Sequence, residues 1–143
     1  MLFTHDRQRL RAFFAEAWSK AQAGAVLEPM EAVAADIVRE HPEFHDLLQD
    51  PDALQRDYGV EEGNPFMHLS LHVALQEQVS ADRPAGVREV YQALLRRLQD
   101  PHEAQHRMME CLIESLWQAM QQSRPPDETG YLECLRRAAS RPL

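Results

Sequence analysis

Apolar residues recur at helical spacing along most of the chain, and prolines and glycines stand where the pattern stops or restarts. The first such segment is predicted to be a helix from Thr4 to about residue 23, ended by Gly24. Its buried stripe comprises Leu10, Phe13, Phe14, Ala17 and Trp18. No segment alternates apolar and polar residues between hairpin signals. The sequence therefore predicts an all-α protein.

Two helix starts are marked most clearly, by Asn64-Pro65 and Asp100-Pro101. Each supplies an N-cap side chain followed by a proline at the first helical position, and Glu103 would complete a capping box with Asp100. With the other segments, the pattern predicts a bundle of five to six mostly antiparallel helices. We expect a single domain over residues 1–143, with an irregular segment at 50–63 and a C-terminal helix after a linker at 124–127.

Charge and hydropathy exclude several classes of partner. The 143 residues include 15 basic and 23 acidic groups, which gives a net charge of −8. An acidic chain is a poor ligand for phosphate backbones, so no nucleic-acid partner is expected. No apolar run is long enough to span a membrane, and the N-terminal residues lack the apolar core of a signal peptide.

The cysteine, methionine and tryptophan residues do not predict a catalytic or metal-binding site of their own. Two cysteines, Cys111 and Cys134, do not make a disulfide framework, so both are predicted to be unpaired in a reduced, cytoplasmic protein. Methionine and tryptophan are interpreted as core residues. These are Met67, Met108, Met109, Met120, Trp18 and Trp117.

Histidine is the unusual residue of this chain. Six of the seven histidines form three pairs at a spacing of four residues, in the motifs HPEFH, HLSLH and HEAQH. About 0.3 such pairs are expected from random placement, so three favour a shared purpose. On a helix this spacing places two imidazoles on one face, where they can bind one ion. The pairs are His41 with His45, His68 with His72, and His102 with His106.

Chain direction predicts that the three pairs meet. Short turns make neighbouring helices antiparallel, so the helices starting at Pro65 and Pro101 begin at the same end of the bundle. The preceding helix would deliver His41 and His45 to that end. The six histidines are therefore predicted to bind a transition metal such as iron, zinc or manganese. Glu110, one turn after His106, is a predicted carboxylate ligand.

HEAQH also matches the HExxH signature of zinc peptidases. The match is weak, because no HxxGxxH follows and no strand is predicted that could align a peptide. Peptidase activity is therefore disfavoured.

The motifs HPEFH, NPFMHLSLHVALQEQ and HEAQHRMMECLIESLW resemble a family of small bacterial proteins known as domain of unknown function eighteen forty-one. The resemblance covers nearly the whole chain and implies no particular activity. Histidine pairs on a helical bundle are also similar to hemerythrin-like di-iron proteins and to metal-dependent transferases of the damage-inducible bundle superfamily. Those families combine HxxxH with HxxxE or with one distant histidine, so the similarity is one of architecture.

The sequence leaves two hypotheses of function open. In the first, a helical-bundle protein holds a poly-histidine site for two metals or for zinc, which supports redox, hydrolytic or transfer chemistry. In the second, the histidines form hydrogen bonds within a metal-free interaction or regulatory module. Whether the protein is an enzyme, its protein partners and its oligomeric state are left open by the sequence.

Overall fold

The computed structural model describes residues 4–58 and 64–141, which form helices joined by turns and loops and contain no strand. The all-α prediction is confirmed. None of the described helices is long and apolar enough to cross a membrane. The helices are α1 (Thr4–Gln22), α2 (Pro29–Arg39), a 3-10 helix (Pro42–Phe44), α3 (His45–Leu48), α4 (Pro51–Gln55), α5 (Pro65–Ala81), α6 (Val87–Leu98), α7 (Pro101–Gln122) and α8 (Glu128–Ser140).

The described residues contain eight α-helices, so the predicted number of five to six is too low. The helix that was predicted to deliver His41 and His45 ends at Arg39, because Pro42 cannot continue the backbone hydrogen bonding and restricts the residue before it. Part of the predicted irregular segment 50–63 forms α4, which Asp50 caps by accepting the Asp52 N–H at 3.0 Å. Residues 59–63 of that segment lie outside the described residues.

The two predicted N-caps are confirmed. The Asn64 side-chain oxygen accepts the N–H groups of Phe66 and Met67, at 3.0 and 3.2 Å. The Asp100 carboxylate does the same for His102 and Glu103, at 3.0 and 3.4 Å. Each cap satisfies donors that the first turn of a helix leaves unpaired. The starts of α5 and α7, which carry four of the six paired histidines, are therefore fixed by local sequence.

The chain divides into two compact units, residues 1–73 and 74–143. In unit 1, α1 packs against α2, α3 and α4. The single-domain organisation stays a prediction. The core of unit 1 consists of Phe14, Ala17, Trp18, Ala34, Ile37, Val38, Leu48, Phe66 and Leu69.

Two polar contacts hold α1 in place within unit 1. The buried guanidinium of Arg11 donates to the carbonyl oxygens of Leu54 and Arg56, at 3.1 and 2.8 Å, and so fixes the end of α4. The Lys20 ammonium donates to the Glu31 carboxylate at 2.7 Å, which ties α1 to the first turn of α2. Both contacts pair polar groups at the margin of the core. They therefore help to determine the position of α1 against its neighbours and also stabilise that packing.

In unit 2, α6, α7 and α8 contact one another in all three pairs. The second part of α5 also belongs to this unit, since residues 74–81 follow the division. The hydroxyl of the buried Tyr131, on α8, donates to the Gln78 side-chain oxygen at 2.6 Å and connects α8 to α5. The buried side chains of unit 2 include Val87, Val90, Leu94, Met108, Leu112, Tyr131, Leu135 and Ala138.

Burial raises the pKa of Tyr131 to about 12, and the hydrogen bond to Gln78 acts in the opposite direction. The phenol ionises near pH 10 in an unfolded chain. Below that pH it is neutral in both states, and above it the unfolded state loses its proton first. The stability of unit 2 should therefore fall as the pH rises from about 10 to 12. Tyr131→Phe should remove this part of the alkaline loss, as measured by denaturant unfolding at several pH values.

Ultraviolet absorbance at 295 nm offers an independent check. The difference between wild type and Tyr131→Phe isolates one phenol and should titrate near pH 12. A difference that titrates near pH 10 would mean that the ring is exposed to water.

Candidate metal centre

His41 lies in the short connection between α2 and the 3-10 helix, with a φ of −126° and a ψ of 66°. Its side chain is only 3% exposed. The ring nitrogen Nδ1 lies 2.7 Å from the carbonyl oxygen of Ile37, which can only accept a hydrogen bond. Nδ1 therefore carries the proton and donates it, and Nε2 is left with a lone pair. An imidazole oriented in this way by a backbone carbonyl is typical of metal-ligating histidines.

His68 and His72 lie one turn apart on α5 and face His41. The Nε2 atom of His68 is 2.9 Å from Nε2 of His41 and 3.2 Å from Nε2 of His72. The ring centroid of His41 lies 4.8 Å from that of His68 and 4.7 Å from that of His72. His72 is 1% exposed, whereas His68 is partly exposed. Three imidazole nitrogens of unit 1 therefore converge on one point next to the core.

The hydrogen bonds indicate which ring nitrogens of this cluster carry protons. Nε2 of His41 is an acceptor, because Nδ1 already donates to Ile37. A single proton on Nε2 of His68 can satisfy that acceptor, and it also lies within reach of Nε2 of His72. Imidazole nitrogens at these separations could bind a cation at their meeting point when they are deprotonated.

His45 lies away from this convergence. Its Nε2 atom is 2.9 Å from the carbonyl oxygen of Val38, and its ring lies on Trp18 with the centroids 4.4 Å apart. Nε2 is therefore a donor, and only Nδ1 keeps a lone pair. His41 precedes the 3-10 helix and His45 begins α3, so HPEFH is not the single helical pair that its spacing suggested. The ligand role of His45 stays a prediction.

His102 and His106 lie in the first two turns of α7, in unit 2. Their ring centroids are 4.1 Å apart and both side chains are partly exposed. His106 Nδ1 lies 3.8 Å from a carboxylate oxygen of Glu103. Between the two histidines, the Gln105 amide donates to the side-chain oxygen of Gln76 at 3.1 Å, which attaches this turn of α7 to α5. The HEAQH pair is thus a helical pair of the predicted kind.

A family model described as Domain of unknown function (DUF1841) matches residues 6–137 of the chain. The chain belongs to this family. The resemblance deduced from the three histidine motifs is confirmed, and the matched residues include all six paired histidines. No curated protein and no solved structure matches the chain.

In this DUF1841 protein, Glu110 follows His106 by one turn of α7 and is exposed. Its side chain is therefore not held by the core. Its role as a ligand stays a prediction.

The two cysteines of the DUF1841 chain form a disulfide, so the prediction that they are unpaired is wrong. Cys111 lies on the buried face of α7 and Cys134 on α8, with their Cα atoms 5.8 Å apart. The packing of α7 on α8 brings them together across 23 residues of sequence, which no local pattern reveals. The bond also removes the cysteine argument for a cytoplasmic location, which stays a prediction.

Of the methionine and tryptophan residues predicted to lie in the core, some are buried and others are exposed. Trp18, Met108 and Met109 are buried as predicted. Met67, Trp117 and Met120 are 55%, 61% and 79% exposed, so their assignment to the core is wrong. Helical spacing predicts that residues share a face, but it does not show whether another element covers that face.

Proposed function

We propose that this DUF1841 protein binds a transition-metal ion through His41, His68 and His72, with His102 and His106 as further ligands. The observation that carries the proposal is the set of Nε2 separations in unit 1, 2.9 and 3.2 Å. Nitrogens that bind one tetrahedral ion at 2.0–2.1 Å lie roughly 3.3 Å from each other. These histidines are thus spaced like ligands of one ion.

The participation of His102 and His106 is supported by the continuity of α5. His72 and Gln76 lie one turn apart on this helix, so their side chains point in the same direction. Gln76 accepts a hydrogen bond from Gln105, which lies between His102 and His106. Because α5 is continuous across the division between the units, we propose that His102 and His106 contribute ligands to the same ion.

The donor set favours zinc or iron over manganese, because neutral imidazole suits the former and manganese prefers oxygen ligands. Imidazole ligands carry no charge, so the protein would leave the charge of a divalent ion uncompensated. An anionic ligand from solution would then be favoured at a remaining position. When bound, zinc would supply Lewis-acid chemistry for hydrolysis or transfer, and iron would supply redox chemistry.

The direct test is elemental analysis of tag-free protein, followed by titration with zinc and with ferrous iron. We expect about one ion per chain. A bound ion stabilises the folded state by mass action, so chelation should lower the melting temperature and added metal should restore it. X-ray absorption of the bound ion should show a shell of imidazole nitrogens.

Two outcomes would reject the proposal. One is metal content far below one ion per chain, with no change in melting temperature on adding zinc, iron or manganese. The other is a metal shell that contains no imidazole. Either result would favour a metal-free interaction module held together by histidine hydrogen bonds.

A further inference from the structure

The C-terminal half of α7 carries a line of large apolar side chains that unit 2 does not cover. Their exposed fractions are 50% for Ile113, 38% for Leu116, 61% for Trp117 and 79% for Met120. Spacings of three and four residues place them on one face of the helix. We name this line of four residues the α7 seam.

The α7 seam is separate from the packing of unit 2. The opposite face of the helix carries Met108, Cys111 and Leu112, which are buried where α7 packs against α6 and α8. The metal proposal makes no use of the seam. A continuous line of four large apolar side chains, one of them tryptophan, is typical of an interaction surface.

Charged residues stand at both ends of the seam. Glu110 precedes it and Arg124 follows it, both are exposed, and each is seven residues from Trp117. Helix α7 ends at Gln122, but the Arg124 N–H donates to the Ala119 carbonyl at 3.0 Å. The chain therefore turns back at Ser123, and Arg124 stays at the end of the helix.

We infer that the α7 seam joins two copies of this chain, with the two α7 helices antiparallel about a two-fold axis near Trp117. That arrangement places Glu110 of each copy opposite Arg124 of the other, and the apolar residues between them face each other. Parallel pairing would instead place Glu110 against Glu110. Because the same surface carries both the acidic and the basic member of each charge pair, it is complementary to a second copy of itself across a two-fold axis.

The seam is short, so the dimer should be a weak one. Interfaces below the standard size are typical of transient association, and a dissociation constant in roughly the micromolar range is expected. The net charge of −8 on each copy opposes association over long distances. At physiological ionic strength this repulsion is screened beyond about 8 Å, whereas contacts within the seam are not.

Sedimentation velocity of the full chain over a range of concentrations tests the inference. Wild type should change from monomer to dimer with rising concentration. Trp117→Glu should weaken the dimer by about thirtyfold or more, because tryptophans at the centre of an interface dominate binding. Val26→Glu is the matched control, since Val26 is 94% exposed outside the seam and should leave the dimer unchanged.

Charge exchange tests the antiparallel arrangement. Glu110→Arg should weaken the dimer by placing two arginines together, and adding Arg124→Glu should restore it. Circular dichroism should show that all variants stay helical, and chelated samples should behave in the same way as untreated ones. A wild type that remains monomeric at high concentration would overturn the inference. So would a Trp117→Glu variant that dimerises like wild type, or a double charge variant that is no better than Glu110→Arg.

Discussion

Replacing His72 by glutamine is expected to weaken metal binding about 100-fold. Structural metal sites with four ligands contribute about 10–16 kcal/mol, or roughly 3 kcal/mol for each ligand, and 1.4 kcal/mol corresponds to a factor of ten. His72 is 1% exposed and its Nε2 lies within the histidine cluster. Glutamine keeps a polar group of similar length at this buried position but supplies no imidazole. Competition with a chromophoric chelator would measure the change in affinity.

His45→Gln is the matched control. His45 belongs to a pair of the same spacing, but its Nε2 atom forms a hydrogen bond to the Val38 carbonyl and its ring packs on Trp18. This change should lower the melting temperature of the metal-free protein and leave metal affinity nearly unchanged. If the two variants lost affinity equally, the ligand set would have to include His45. If neither lost affinity, metal would bind elsewhere.

Removing the disulfide should have the next largest effect. The bond closes a loop between residues 23 apart, which corresponds to a stabilisation of about 3 kcal/mol from the restricted unfolded chain. Reduction, or the double change Cys111→Ala and Cys134→Ser, should lower the free energy of unfolding by that amount. Denaturant titration with and without a dithiol reductant measures it. Alanine suits position 111, because Cys111 is buried among apolar residues.

The double variant also serves as the control for reduction, since a reductant should not change its stability. Thiol titration of wild type, denatured without reductant, should find no free group. Two titratable thiols would contradict the disulfide and reinstate the unpaired cysteines that the sequence predicted.

Local features of the sequence predicted the fold class and the helix starts. Asn64 and Asp100 cap α5 and α7 as expected, because a cap depends on residues within one turn. The number of helices was underestimated, because α2 ends before Pro42 and the short helices α3 and α4 follow as separate elements. Short helices such as α4 are stabilised by tertiary contacts, in this case by Arg11 from α1.

The candidate site was predictable only in part. The spacing of His68 and His72 on a continuous helix predicted that their nitrogens would lie close together. The same spacing was misleading for His41 and His45, because no single helix contains both. The contact of His45 with Trp18 depends on how α1 and α3 pack, which the motif HPEFH does not encode.

Helix α5 takes part in both compact units, with residues 65–73 in the first and 74–81 in the second. Helix formation is cooperative, and a helix that loses the packing of one half is marginal in water. Loss of either unit would therefore remove tertiary support from one half of α5 and, through the continuous hydrogen-bond ladder, weaken the other half. The amides of α5 should then exchange with solvent in a single opening event, with similar protection on both sides of Val73. We therefore expect this one helix to couple the unfolding of the two units.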